Sequence, residues 1–205
     1  MRTRQWMSRL VSAAGFATLL VAGCTDSTGS RFVTVRVSLG RADGVLIASL
    51  APQVVTAGSV DPTKVSDLAV SVDSIQMQSS TSGGWQTVNF AAPLALNLVT
   101  DLANPIDLGS VTVESGSCKV RLFVTDPMIT FSEDVVFGQH TVVAGTYPVR
   151  IPSGDQSGLK ADGACDATDA AHVMLAFDVG ASIGTVVATG NGDIMLTPVI
   201  HVVQP

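Results

Sequence analysis

Strict alternation of apolar and polar residues is the feature that most limits the fold of this chain. In "RFVTVRVSL" (Arg31 to Leu39), the residues Val33, Val35, Val37 and Leu39 occupy every second position. Successive side chains of a β-strand point to opposite faces, so these four side chains share one face. The pattern predicts a half-buried strand with that face against a core.

Shorter stretches of the same kind follow, separated by clusters of Gly, Pro, Asp and Ser, and helical periodicity is scarce. They predict an all-β fold, a sandwich or a barrel. We expect an antiparallel β-sandwich, Ig-like or transthyretin-like, as a single domain over residues 31–205. An irregular extended segment is predicted at Gly40–Ser66. Further strands are predicted at Asp67–Gln78, with a bulge near Asp73-Ser74, at His172–Val179, and at Asp193–Val203, which contains Pro198.

The first 23 residues have the composition of an export signal. Arg2, Arg4 and Arg9 precede Leu10–Ala22, which has 13 residues and no charge. A helix of that length spans about 20 Å, whereas a bilayer core is about 30 Å thick. The run is too short to cross a membrane stably, and we interpret residues 1–23 as a cleaved signal peptide.

Cys24 follows that run directly. "LVAGC" (Leu20 to Cys24) resembles the lipobox of bacterial lipoproteins. The resemblance implies diacylglyceryl and palmitate-type acyl groups on Cys24, cleavage before it, and residues 24–30 as a short tether. In that family Asp after the cysteine favours inner-membrane retention, so Thr25 makes the outer membrane the expected site. The alternative is an ordinary small-residue cleavage site with a chance cysteine.

Two cysteines remain, Cys118 and Cys165. Export leads to an oxidising compartment, where an even pair of cysteines is expected to form a disulfide. Two free buried thiols are the alternative. A metal site is disfavoured because neither cysteine lies in a C-x-x-C pair or has a histidine close by in sequence.

The charge balance limits the kinds of partner that are expected. After residue 23 the chain keeps eight of its 11 basic residues and all 17 acidic ones, a net charge of −9 with neutral histidines. This argues against nucleic acid and against a polybasic membrane patch. The expected partners are the membrane, through the lipid anchor, and an envelope protein or glycan.

Three stretches in the second half of the chain have a distinctive sequence: "YPVRIPSGDQSGLK" (Tyr147 to Lys160), "LAFDVGASI" (Leu175 to Ile183) and "GNGDIMLTPVIHVV" (Gly190 to Val203). Together they resemble a family of bacterial secreted and lipid-anchored proteins that has only a domain-of-unknown-function label. The chain departs from that family after the first strand, where "GRADGVLIAS" replaces its usual T-D-A-P-like turn. The resemblance implies a β-sandwich in a lipoprotein context and no reaction.

One loop is the candidate ligand site. "IPSGDQSGLK" is either a β-arch whose polar side chains satisfy loop amides or a ligand-binding loop. We expect no catalytic residue, metal or cofactor: the acidic stretch "ADGACDATDAAH" lacks EF-hand spacing, and nucleophile-elbow, H-E-x-x-H and phosphate-loop motifs do not occur. The prediction is a non-enzymatic binding module, with a structural envelope module or a hydrolase with scattered residues as alternatives. The candidate ligand-binding residues are Ser153, Asp155, Gln156, Ser157 and Lys160.

Overall fold

The structure is a computed structural model. It describes residues 31–42, 60–81, 83–152, 157–163, 165–168, 171–189 and 192–204. The predicted signal peptide, Cys24 and the predicted tether lie outside the described residues, as do residues 43–59 of the predicted irregular segment.

Fourteen strands and one short helix make up the described part of the chain. The strands are β1 (Phe32–Arg41), β2 (Val65–Ser79), β3 (Trp85–Asn97), β4 (Ile106–Glu114), β5 (Gly116–Phe131), β6 (Val135–Phe137), β7 (His140–Val142), β8 (Gly145–Arg150), β9 (Leu159–Lys160), β10 (Cys165–Ala167), β11 (His172–Phe177), β12 (Val187–Ala188), β13 (Ile194–Met195) and β14 (Ile200–Val203). The helix α1 (Val179–Gly184) follows β11, and 3-10 turns cover Pro62–Lys64 and Asp101–Ala103.

Two main sheets form a β-sandwich and not a closed barrel, as predicted. The smaller sheet has the order β14-β11-β1-β4, and the larger has β12-β13-β8-β5-β2-β3. The 16-residue β5 pairs with β2 along one side and in turn with β10, β9 and β8 along the other. The strands β6 and β7 form a separate hairpin.

The sheets are mixed, because two of the pairings are parallel. β1 runs parallel to β11 and antiparallel to β4, and β13 runs parallel to β8. A parallel pair needs a long crossover. The chain supplies one here by building most of the larger sheet between β1 and β11.

The alternation in the sequence matches the core. Val33, Val35, Val37 and Leu39 of β1 are all buried, and between them Thr34 and Arg36 are exposed. The predicted bulge in β2 is also present, because its pairing with both neighbours shifts register between Val72 and Ser74. Residues buried from both sheets form one cluster that includes Leu68, Phe131 and Phe177.

The end of the chain differs from the prediction. The expected single strand Asp193–Val203 is divided into β13 in the larger sheet and β14 in the smaller. Pro198 lies between them, where its missing N–H leaves no ladder bond unmade. The strand expected to reach Val179 ends at Phe177, because the Asp178 carboxylate accepts a hydrogen bond from the Ala181 N–H and caps α1.

Candidate binding face

The disulfide fixes one end of β5. Cys118 and Cys165 are direct partners in the β5–β10 pairing, with their Cα atoms 5.0 Å apart. Both residues are buried, and the structure joins them in the predicted disulfide. The bond ties the β10 segment to the larger sheet.

Next to this bond, the solvent side of the larger sheet has two cross-strand rows of polar and aromatic residues. In one row Gln78 of β2 stands between Trp85 of β3 and Lys119 of β5. In the other, Gln76 and Arg121 are partners, and Arg121 is also the partner of Lys160 on β9. Directly opposed residues share a face of the sheet. We call this surface the Arg121 face: Gln76, Gln78, Trp85, Lys119, Arg121, Phe123 and Lys160.

Arg121 organises the face. Its Nε and Nη2 atoms donate hydrogen bonds to Gln76 Oε1 at 2.8 and 2.6 Å, and its Nη1 donates to the Ser157 carbonyl at 3.0 Å. The guanidinium carbon lies 3.9 Å from the centroid of the Trp85 ring and 5.2 Å from that of Phe123. A planar guanidinium can stack on rings while its edge donates hydrogen bonds, which a lysine cannot do.

The predicted ligand loop ends on this face. Ser157 contributes its carbonyl to Arg121, and Lys160 is the register partner of Arg121. The other three predicted residues, Ser153, Asp155 and Gln156, lie outside the described residues.

Gly158 explains part of the loop's sequence. Its φ is +72°, and a Cβ there would lie 3.0 Å from the Leu122 carbonyl oxygen and 3.1 Å from Phe123 Cε2. Only glycine combines that backbone conformation with so close an approach. A glycine at position 158 is therefore required for the loop to lie against β5.

A cleft of about 250 Å³ adjoins the face next to the disulfide. Gln78 and Lys119 line it together with the hydroxyl-bearing residues Ser79, Ser80 and Ser117. Two of those hydroxyls bond each other, Ser117 Oγ to Ser80 Oγ at 2.8 Å. Among the described residues that line this cleft, only Gly83 and Cys118 lack a hydroxyl, amide or amine on the side chain.

The family profile for "Domain of unknown function (DUF4382)" matches residues 55–198. The chain belongs to the DUF4382 family. No curated protein and no solved structure matches it. The DUF4382 match contains the whole Arg121 face but excludes β1 and β14, which pair with strands inside it.

The smaller sheet of this DUF4382 protein has its own polar cluster. Ser38 Oγ lies 2.9 Å from His172 Nε2, which is the contact of a nucleophile and its base. Ser38, however, is only 4% exposed. Asp107 bonds Arg36 and the Gly109 N–H. The arrangement therefore lacks an accessible hydroxyl and a carboxylate that orients the imidazole.

An ion pair between Arg36 and Asp107 stabilises this polar cluster of the smaller sheet. Arg36 Nη2 lies 2.6 Å from Asp107 Oδ2. This hydrogen bond, then that from the Gly109 N–H, lowers the pKa of Asp107 below its usual value. The same contact raises the pKa of Arg36. The pair ties β1 to β4.

Other side chains of the described residues that could bind a metal ion do not converge on one point. His201 is the register partner of Ala176, not of His172, and its Nε2 atom is buried without a hydrogen-bond partner. Asp162 uses its backbone to bridge to β14, and Asp169 lies outside the described residues. Within the described ranges, no three His, Cys, Asp or Glu side chains form a group that could hold a metal ion. No helix in those ranges is long and apolar enough to cross a membrane.

Sequence reasoning missed Arg121, Gln76, Trp85 and Phe123. One signal was available: Lys119 and Arg121 are two cations on the polar side of the alternating run "CKVRLFV", and Trp85 follows the turn "SGG". The alternation shows that these side chains face solvent, but only the register places them beside each other.

Proposed function

We propose that this protein is a non-enzymatic binding module, held at the cell envelope by lipid on Cys24, and that the Arg121 face binds an envelope protein or glycan. The observation that carries the proposal is the fixed array around Arg121. One guanidinium holds an indole, a phenyl ring and a side-chain amide on the solvent side of a sheet. Such groups supply contact area and hydrogen bonds to a ligand.

The array is ordered before any ligand arrives. The Gln76 amide and the Trp85 ring are both in contact with Arg121, and β2, β3 and β5 are paired along the whole face. The disulfide at Cys118 restrains the neighbouring end of β5. Binding therefore immobilises few side chains, and that entropy cost is a main penalty of association.

The anchor supports an envelope location. The lipobox-like "LVAGC" precedes a tether of only a few residues, so a lipidated chain would keep the sandwich close to its membrane. Two or more acyl chains anchor a protein stably, whereas one does so marginally. With Thr25 after the cysteine, we place the protein on the outer membrane of a cell that has one.

The intact mass of protein purified from its own host tests the anchor. We expect loss of residues 1–23 and added acyl mass, and a Cys24→Ala variant should be uncleaved or soluble. If the wild-type protein were found soluble and without acyl groups, the proposed localisation at the membrane would be wrong.

The binding face is tested by comparing Trp85→Ala with Phe32→Ala. Phe32 is an exposed aromatic residue (63% exposed) of the smaller sheet, so it controls for loss of surface aromatic area. The full-length protein in detergent is applied to a glycan array and to isolated envelope fractions. We expect Trp85→Ala to lose the retained ligand and Phe32→Ala to keep it. Equal binding by both variants and the wild type would refute the Arg121 face as the binding site. The non-enzymatic proposal would be refuted by activity in a hydrolase screen, if changing one Ser, Asp or His abolished that activity.

A structural role in an envelope assembly is the second candidate. β3 is a 13-residue strand at the edge of the larger sheet, and no other strand of the described residues pairs with its outer side. Such an edge can accept a strand from another chain. Its interior Pro93 removes one donor from that edge, which limits the length of strand it would accept.

A further inference from the structure

We infer that the ligand of the Arg121 face is an anionic polysaccharide. The inference rests on the proposed function and narrows it to one class of ligand. Its starting point is charge: three of the eight basic residues after residue 23 lie on this face of a chain with 17 acidic residues. Lys119 and Arg121 are two positions apart on β5 and therefore share a face, and Lys160 is the register partner of Arg121.

No carboxylate of the described residues forms an ion pair with these three cations. The ion pairs Arg36–Asp107 and Lys64–Glu133 both lie away from this face. Arg121 is bonded to neutral oxygens, those of the Gln76 amide and the Ser157 carbonyl. The three cations are therefore available to an anionic ligand although the protein is acidic, and Asp166, which opposes Ser117 beside the face, is the one carboxylate that β10 adds to this side of the sheet.

The other groups on the face favour a sugar over a peptide. Gln76, Gln78, Ser80 and Ser117 offer amides and hydroxyls that can exchange hydrogen bonds with sugar hydroxyls, and Trp85 offers a ring held in place. Trp and Arg also anchor protein interfaces, but there they lie in a core that is more apolar than the rest of the protein surface. The most exposed large apolar side chains of the described residues, Phe32, Val136, Val143 and Val187, are all elsewhere.

The volume of the cleft limits the size of the ligand group that it can hold. At about 250 Å³ it is smaller than the roughly 300–1,000 Å³ of pockets for drug-sized ligands. It accommodates one small unit, such as a single sugar residue of a longer polymer. Lys119 on its lining would meet an acidic group on that unit.

The test uses three immobilised polymers: dextran, carboxymethyl-dextran and poly-glutamate. The first two share a backbone and differ in carboxylates, and the third has carboxylates without sugar. The full-length protein in detergent is passed over each at low and at physiological salt. We expect binding to carboxymethyl-dextran only, weakened by added salt because exposed charges are screened.

Two double variants then locate the binding. Lys119→Gln/Lys160→Gln should weaken binding to carboxymethyl-dextran about tenfold, the value of two exposed charge contacts. Lys64→Gln/Arg150→Gln removes the same net charge away from the face and should leave binding within about twofold of wild type. A circular dichroism spectrum for each variant checks its folding.

Four outcomes would overturn the inference. Equal binding to dextran means a neutral glycan, and equal binding to poly-glutamate means an acidic protein partner. If the protein does not bind carboxymethyl-dextran at low salt, the ligand is not an anionic polysaccharide. If both double variants lose the same affinity, binding depends on the net charge of the protein and not on the Arg121 face. In all four cases the Trp85→Ala result on the glycan array still decides the proposed function separately.

Discussion

Cys118 and Cys165 face each other directly across β5 and β10, with Cα atoms 5.0 Å apart and the two sulfurs bonded. The bond joins residues 47 positions apart in sequence and closes a loop that includes β6 to β9. A disulfide that closes such a loop reduces the entropy of the unfolded chain.

The first prediction concerns this bond. The Cys118→Ala/Cys165→Ala variant should lose about 2–4 kcal/mol of unfolding free energy, measured by urea denaturation. Wild-type protein treated with dithiothreitol serves as the control and should show a similar loss. No loss in either sample would mean that the disulfide does not form in the protein.

The second prediction compares two glycines with positive φ. Gly158 has φ +72° and close neighbours on β5, whereas Gly83 has φ +67° and nothing within 4 Å of the point that a Cβ would occupy. Gly83→Ala should cost about 1 kcal/mol for the left-handed backbone alone. Gly158→Ala should cost about 1–3 kcal/mol more, because the methyl group would press on the Leu122 carbonyl.

Chemical denaturation of both alanine variants measures this difference. Equal costs at the two sites would show that the loop does not lie against β5 as described.

The third prediction uses the only tryptophan after residue 23, Trp85, as a probe. Arg121→Lys keeps the charge but loses the stacking and the paired bonds to Gln76. We expect stronger acrylamide quenching of Trp85 fluorescence in protein that has lost residues 1–23, and a loss of about 1–2 kcal/mol of stability.

Lys119→Gln is the matched control for Arg121→Lys. Lys119 lies on the same strand and the same face but makes no ring contact with Trp85. Quenching in Lys119→Gln should equal that of wild type. Unchanged quenching in Arg121→Lys would contradict the stacked arrangement.

The fourth prediction concerns pH. The hydrogen bonds from Arg36 and from the Gly109 N–H lower the pKa of Asp107 in the folded state. A lowered folded-state pKa adds stability above the pKa of the unfolded carboxyl, about 3.9, and that stability is lost as the pH falls through the folded-state value. Asp107→Asn should therefore be less stable than wild type at pH 7 and equally stable at the most acidic pH.

Thermal unfolding across pH 2 to 7 measures the effect of Asp107→Asn, which should be small because both partners are exposed. Glu114→Gln on the same strand removes a carboxylate that forms no ion pair in the described part of the chain, and it is the control. A constant difference between Asp107→Asn and wild type at every pH would contradict the mechanism.

Local pattern predicted the parts of the fold that depend on neighbouring residues. The alternation of Val33, Val35 and Val37 identified β1 and its buried face, and the slip near Asp73 identified the bulge in β2. Both follow from the two-residue period of a strand.

Features that depend on distant residues were missed. The division of the last predicted strand at Pro198 depends on which sheet each half joins. The end of β11 at Phe177 depends on Asp178, which caps α1 instead of continuing the strand. Arg121 meets Gln76, which lies 45 positions earlier in the chain, only through the register of β2 and β5. A period of two shows which face a side chain occupies but not which residue it meets there.

The parallel pairing of β1 and β11 affects the order in which the chain folds. Ser38 and His172, which bond across that pair, are 134 positions apart. Contacts so distant in sequence form late, because the intervening chain must be closed first. Until β11 has paired, one hydrogen-bonding edge of β1 has no partner strand. A product truncated before β11 would keep that edge unpaired, and unpaired strand edges are prone to aggregate with other chains.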